Sequence, residues 1–426
     1  MEVYRVESFS AFISLTEQLG LENYIYRGQN EPYNGICANG FRPYKGGWTS
    51  DKIFNIDQIS KDYYNQVISK LTGDEKRHFL CFCQHYGIPT NLIDFSISPL
   101  VALFFACQGK SPINFNIMEL CGQITLNDLK SNKSIQNMLI HNLINKLEKG
   151  YTSDFAQIYL IKKSRLLDIS EIIPQLNSQN FFEQIYSNSK LRVFLFSKLS
   201  LLFEQMDETA ISKCLINLIE VYKANHTDFW EIIDKEDFHL HYKEAIEDES
   251  IFTFQIQLTE KPLSDVLKDL YYHVFNEMED ERIPYESDVF EGHPEGASDC
   301  QIAAMTYVLL LANLIQIYDN DNSGCEHLNL DIDIYFTYQP PNLFNRIESQ
   351  RGLFLYQPYI YSQEDIYNFK TLSVQNINPD IIIEIDNYSD MLNEMDQLGI
   401  NLGTIYCDLD NIARSVIATY KRKNQL

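Results

Sequence analysis

The sequence predicts an α+β protein: a mixed sheet core interrupted by a large all-helical insertion. Three observations predict it. Strand-like segments rich in β-branched and aromatic residues occur at Ala156 to Ile161, Ile332 to Thr337, Leu353 to Tyr356 and Ile381 to Ile385, so they lie towards both ends of the chain. Between them, Asn180 to Tyr318 repeats its apolar residues with helical period, in Lys190 to Met206, Ala210 to Tyr222, Leu263 to Met278 and Gln301 to Tyr318. At 426 residues the chain has room for two or three domains or for one domain with an insertion, and this pattern favours the insertion. The expected division is 1–180, an insertion over 181–329, and a return to the core over 330–426.

The N-terminal elements follow in order. Val3 to Gly20 reads as a helix that stops at Gly20, and Asn23 to Arg27 as a short strand leading into a turn at Gly28-Gln29-Asn30. Asp51 to Phe82 has a helical apolar stripe of Phe54, Ile59, Tyr63, Val67 and Leu71, which His85 to Pro89 breaks with Gly87 and Pro89. Thr90 to Asp94 is extended. Ser98 is placed to cap a helix that Pro99 begins and Leu100 to Cys107 continues into the core. No repeat or low-complexity tract is found, and the acidic runs Glu277 to Glu281 and Asp319 to Asn322 read as solvated loops.

Composition limits the function classes. An apolar content of 45 % with 27 Tyr and 26 Phe is enough to build a core, which argues against wholesale disorder. A formal charge of −25 repels phosphate backbones and argues against generic nucleic-acid binding, though not against a local pocket for one nucleotide. Met1 to Leu21 mixes charges into its apolar residues, unlike a signal peptide. The most apolar run, Ile302 to Ile315, is too short for a bilayer and reads as a buried helix. Nine scattered cysteines fit reduced thiols and a cytoplasmic location, with no structural disulfide.

The densest polar constellation runs from Gln84 to Ala106, where a loop feeds directly into a core helix. Unpaired N–H groups and the positive dipole end at such a helix start favour an anion such as a diphosphate, and Ser96 and Ser98 add hydroxyls. The plainer alternative is that Ser98 only caps its helix and His85 is a hydrogen-bonded core residue. Tyr86 can stack on a ring or simply pack, and Gly28, Gly87 and Gly352 are expected to meet a positive φ or a close approach.

Tyr26-Arg27-Gly28-Gln29, then Gln84-His85-Tyr86-Gly87-Ile88-Pro89-Thr90-Asn91-Leu92-Ile93-Asp94-Phe95-Ser96 with Ser98-Pro99-Leu100 behind it, resembles the FRG domain family, named for a Phe/Tyr-Arg-Gly motif. Asn345 to Phe354, Leu398 to Asn401 and Asp408 to Asp410 agree with the same resemblance. Asn91 stands where the family commonly has Arg, which removes a charge and a bidentate fork. The layout is similar to ADP-ribosyltransferases of the Arg-Ser-Glu type. That similarity implies an ADP-ribosyltransferase-like core with NAD as substrate or ligand, and catalytic roles for Arg27, Ser96, Ser98, Glu348 and Gln350.

The resemblance also implies ligand contacts from Tyr26, Gly28, Gln29, Gln84, His85, Tyr86, Thr90, Asn91, Asp94 and Arg346. Gln350 falls where the transferases place their ribose-binding carboxylate, so Asp94 and Glu348 are the candidate acids. By the same analogy, NAD cleavage or ADP-ribose transfer would suit a bacterial toxin or phage-defence effector. The alternatives are a non-catalytic nucleotide sensor and a protein-interaction module acting through the 181–329 helices. No membrane or metal requirement is evident. The calcium-like Asp319 to Gly324 has Leu330 where the twelfth-position acid belongs; Cys81, Cys83 and His85 lack a second ligand cluster; and His239 and His241 read as surface residues.

Overall fold

The computed structural model describes residues 1–30, 35–42, 54–108, 155–176, 180–225, 241–243, 255–257, 271, 297–320, 330–361 and 372–423. The chain opens with a strand, β1 (Glu2–Val6), and helix α1 (Phe9–Leu19) follows, capped by the Ser8 hydroxyl and stopped at Gly20 with φ 78°. The expected helix from Val3 is thus corrected: Val3 to Val6 pairs in parallel with a C-terminal strand, which supplies a partner that local periodicity cannot reveal. β2 (Tyr24–Gln29) extends through Gly28 and Gln29, so the turn expected there is a continuous strand.

The expected helix over 51–82 is three shorter ones: α2 (Ile56–Val67), α3 (Gly73–Arg77) and α4 (Phe79–His85). Thr72 restarts the backbone with a reciprocal capping box to Glu75. β3 (Leu92–Ser96) and α5 (Pro99–Cys107) follow as expected, with Pro99 at the first helical turn. β4 (Ala156–Lys162) and β5 (Leu166–Asp168) lead to α6 (Phe181–Ser187), α7 (Ser189–Phe203) and α8 (Glu208–Asn225).

A two-stranded pair, β6 (His241–Lys243) and β7 (Gln255–Gln257), corrects the expectation that the insertion is all helix. α9 (Asp299–Asn320) is the buried helix expected from Ile302 to Ile315. Among the described residues no helix is long and apolar enough to cross a membrane. The helix expected at Leu263 to Met278 (Tyr271 excepted), the acidic run Glu277 to Glu281, His239 and the loop residues Asp321 to Gly324 lie outside the described residues.

The chain returns with β8 (Tyr335–Tyr338), α10 (Asn345–Ser349), β9 (Gly352–Tyr356), β10 (Tyr359–Tyr361), β11 (Leu372–Val374) and β12 (Ile381–Ile385). It closes with α11 (Tyr388–Gln397), α12 (Leu402–Tyr406) and α13 (Leu409–Lys423). Eight strands form one mixed sheet in the order β1-β12-β4-β2-β3-β9-β8-β5, parallel at β1–β12 and β5–β8. The fold is α+β, as the sequence predicts.

Two helical lobes cover one face of this sheet. α1, α5 and α11 pack on Tyr24, Tyr26, Ile158, Leu160 and the odd-numbered isoleucines of β12. The helices after Asn180 pack on Leu92, Phe336, Tyr338, Phe354 and Tyr356, so the insertion shares its core with the sheet. The opposite face carries Ile25, Ile93, Phe95, Tyr159, Ile161 and Leu355, covered by Ile36, Ala38, Phe41 and Ile56. β2 meets α5 so closely that a Cβ on Gly28 would stand 1.8 Å from the Ala102 carbonyl oxygen.

Candidate functional site

The sheet is nearly parted between β2 and β3. β2 pairs with β4 along its whole length, but with β3 only at Tyr26↔Ser96. A continued ladder would set Gly28 opposite Asp94. Instead the Arg27 side chain bridges the opening, donating from Nη1 to the Asp94 carbonyl at 2.7 Å and from Nε to Gln29 Oε1 at 3.1 Å.

Arg27 has no carboxylate within ion-pairing distance and its Nη2 makes no hydrogen bond among the described residues. Desolvation lowers its pKa; the Asp94 carboxylate opposes that shift, and the nearby Arg42 guanidinium adds to it. Arg42 itself is held by the Cys37 carbonyl, through Nε at 3.1 Å and Nη2 at 2.8 Å. Burial pushes the Cys37 thiol up while both arginines pull it back, placing the three groups together.

Gln29 is 3 % exposed, and its Nε2 lacks a hydrogen-bond partner. It lies close enough to the Tyr159 hydroxyl to oppose the rise that burial gives that phenol, and the hydroxyl donates to Gln157 Oε1 at 2.7 Å. An orphaned amide donor, a spare guanidinium donor and a second guanidinium on one sheet face form an anion-accepting environment.

The Asp94 side chain points to the other face. Gln84 Nε2 donates to Asp94 Oδ2 at 3.0 Å, and Gln84 is itself aimed by Thr90, whose Oγ1 donates to Gln84 Oε1 and accepts from Leu92 N. On the same side the Arg346 guanidinium lies 4.8 Å from the centre of the Tyr406 ring and close enough to depress His85. The His85 ring stacks flat on Phe344 at 3.7 Å, and Tyr86, 56 % exposed, meets both edge-on. Asp94, Gln84, His85, Arg346 and Tyr406 thus lie near one another on this side.

The other expected site residues are placed differently. Ser96 pairs with Tyr26 and so lies on the face opposite the Arg27 side chain. Its Oγ donates to the Gln350 carbonyl at 2.7 Å and accepts from Ser98 N, an internal stitch rather than an open hydroxyl. The Ser98 hydroxyl does not cap α5. Gln350 donates its amide to the Ile405 carbonyl, and Glu348 is exposed on the one-turn α10. The Arg27, Ser96, Glu348 and Gln350 side chains are therefore not gathered in one pocket.

Tyr26 is fully buried with its hydroxyl donating to the Leu21 carbonyl, Asn91 spends its amide on the Gln357 carbonyl, and Gly28 is a packing contact with α5. Of the glycines expected to need special backbone, Gly87 does so with φ 77°, and Gly28 by close approach. Gly352 has only ordinary neighbours, the nearest at 3.5 Å. Cys81 and Cys83 are buried, and burial pushes each thiol up to about 12, the protonated packing role that the lone cluster suggested. Arg42, Tyr159 and Tyr406 had no distinguishing signal in the sequence.

The two histidines of this region make stability pH-dependent. Burial lowers the pKa of His85, with Arg346 adding to the shift. Burial also lowers that of His78, whose Nδ1 lies 2.9 Å from the Tyr338 hydroxyl. In the unfolded chain both protonate near 6.5, whereas the folded chain keeps them neutral to lower pH. Their stabilising contribution is complete above that value and is lost as pH falls from about 6.5 through the folded pKa. Melting temperature should drop between pH 7.5 and 5.5, and less steeply in His85→Gln. Identical slopes would remove His85 from this role. Burial raises Asp57 and Asp333 from 3.8, an effect of opposite sign.

Residues 22–114 match the FRG domain family, so the chain carries an FRG domain that includes β2, the parting of the sheet and the loop into α5. No curated protein and no solved structure matches the chain.

Proposed function

We propose that this FRG-domain protein binds NAD or a related nucleotide at the parting of β2 and β3, and cleaves ADP-ribose from it or transfers that group. The observation that carries this reading is Arg27: a desolvated guanidinium that, among the described residues, has a spare donor and no ion-paired carboxylate, beside the orphaned Gln29 amide. A diphosphate supplies the missing acceptors. Arg42 adds positive charge without surrendering its hold on the Cys37 carbonyl.

NAD brings a glycosidic carbon whose bond to nicotinamide weakens as positive charge develops there. The Asp94 carboxylate lies on the opposite sheet face from the Arg27 side chain, so a dinucleotide held by Arg27 has to pass through the parting of β2 and β3 to reach it; Gln84 and Thr90 fix its orientation, and a carboxylate there would stabilise such charge. His85, Tyr86 and Phe344 offer ring faces for a base, and the Arg346 guanidinium over the Tyr406 ring lies nearby. An NAD-consuming activity would suit a bacterial toxin or defence effector. A non-catalytic nucleotide sensor is the second reading, favoured by the internal commitment of Ser96 and Gln350.

Incubation with NAD, with chromatography of nicotinamide and ADP-ribose, separates the two. Wild type should release nicotinamide. Arg27→Lys, checked for folding by circular dichroism, should weaken NAD binding by about 100-fold, the loss of a paired charged contact being worth about 3 kcal/mol. Asp94→Asn should bind but not release. A thermal shift with NAD and no release supports the sensor; neither shift nor release rejects the nucleotide reading.

A further inference from the structure

α13 is mounted with its polarity reversed. Surface helices bury their apolar stripe and turn their polar residues to water. Here the half-buried positions are Asn411, Ser415 and Thr419, one turn apart on the side towards the body. Leu409 is 86 %, Val416 64 %, Ile417 56 % and Tyr420 63 % exposed, and Ile412 is 42 % exposed. The helix is nevertheless firmly seated: a Cβ on Gly403 of α12 would touch Ile412 Cα and Ser415 Cβ at 3.4 Å. Leu409, Ile412, Val416 and Ile417 form an apolar stripe that the helix turns towards solvent, a surface suited to an interface.

We propose that this stripe is the contact between two copies of the chain, which pair α13 with α13 antiparallel about a two-fold axis near Val416. Charge decides the orientation and the occupant. Asp408 and Asp410 stand at the start of the helix, and Lys421, Arg422 and Lys423 at its end. An antiparallel pair sets each acidic start against the other's basic end, and it places Ile412 opposite the partner's Tyr420 with Val416 facing itself. The helix is self-complementary in this direction alone. A parallel pair would oppose like charges at both ends, and an anionic lipid surface would repel the acidic end as well as a chain of formal charge −25.

The inference does not depend on the proposed nucleotide site. It is tested on the full chain by sedimentation velocity at micromolar concentration and physiological salt. Wild type should sediment at twice the chain mass. Val416→Glu, at an exposed position that leaves the fold intact by circular dichroism, should raise the dimer dissociation constant by at least about 100-fold, as a central hot-spot loss does. Val416→Cys in a Cys407→Ser background should form a disulfide-linked dimer on mild oxidation. A monomeric wild type overturns the proposal, including one that pellets with anionic vesicles. So does a dimer unaffected by Val416→Glu and not trapped by the cysteine.

Discussion

Gly28→Ala is expected to destabilise the protein by at least about 3 kcal/mol, the upper end for overpacking a closed interior. The added methyl would lie 1.8 Å from the Ala102 carbonyl oxygen, 2.6 Å from Ala106 N and 2.8 Å from Ala102 C. All three are backbone atoms of α5, so no side chain can swing aside. Relief requires β2 to part from α5, which opens the core holding Tyr26, Ala102 and Ala106. Gly87→Ala is the matched control, with φ 77° and nothing within 4 Å of the new methyl. It should cost only about 1–2 kcal/mol of left-handed strain. Urea unfolding of both variants measures the difference; equal costs would mean that β2 and α5 are not in this close contact.

Gly28 also shows what a sequence can and cannot convey. A glycine beside Gln29-Asn30 carries a turn signal, but the same residue is required wherever two backbones touch, and only the packing distinguishes these cases. β12 and β4 were legible because five to seven consecutive apolar or alternating residues have few other uses. β1 was not, since its partner lies at the far end of the chain. Within the site, Arg27, Gln84 and Asp94 were legible as polar residues around a core helix. Which face each side chain takes depends on the single register Tyr26↔Ser96, and that register separates Ser96 from the Arg27 side chain. Arg42 reaches Arg27 only because residues 35–42 cross the sheet, a tertiary fact without a local signal.

Arg27 and Arg165 test the difference between a functional and a structural arginine. Arg165 is 18 % exposed, pairs with Asp333 at 3.1 Å and Asp380 at 3.2 Å, and donates to the Tyr335 hydroxyl at 3.0 Å. Desolvation pulls its pKa down, but Tyr335, Asp380 and Asp333 outweigh it and the net shift is upward. For Arg27 desolvation wins and the net shift is downward. Arg165→Met should therefore cost about 3 kcal/mol, towards the low end for a buried pair losing one member because Asp333 stays 46 % exposed. Arg27→Met removes an uncompensated charge along with two hydrogen bonds, opposing effects that should leave stability within about 1 kcal/mol of wild type. Its nucleotide affinity should fall by at least about 100-fold, whereas Arg165→Met should bind normally at temperatures where it is folded. Urea unfolding and NAD titration of the two variants measure both quantities. An Arg27→Met as unstable as Arg165→Met would make Arg27 a strut of the parted sheet, and the anion site would have to be sought elsewhere.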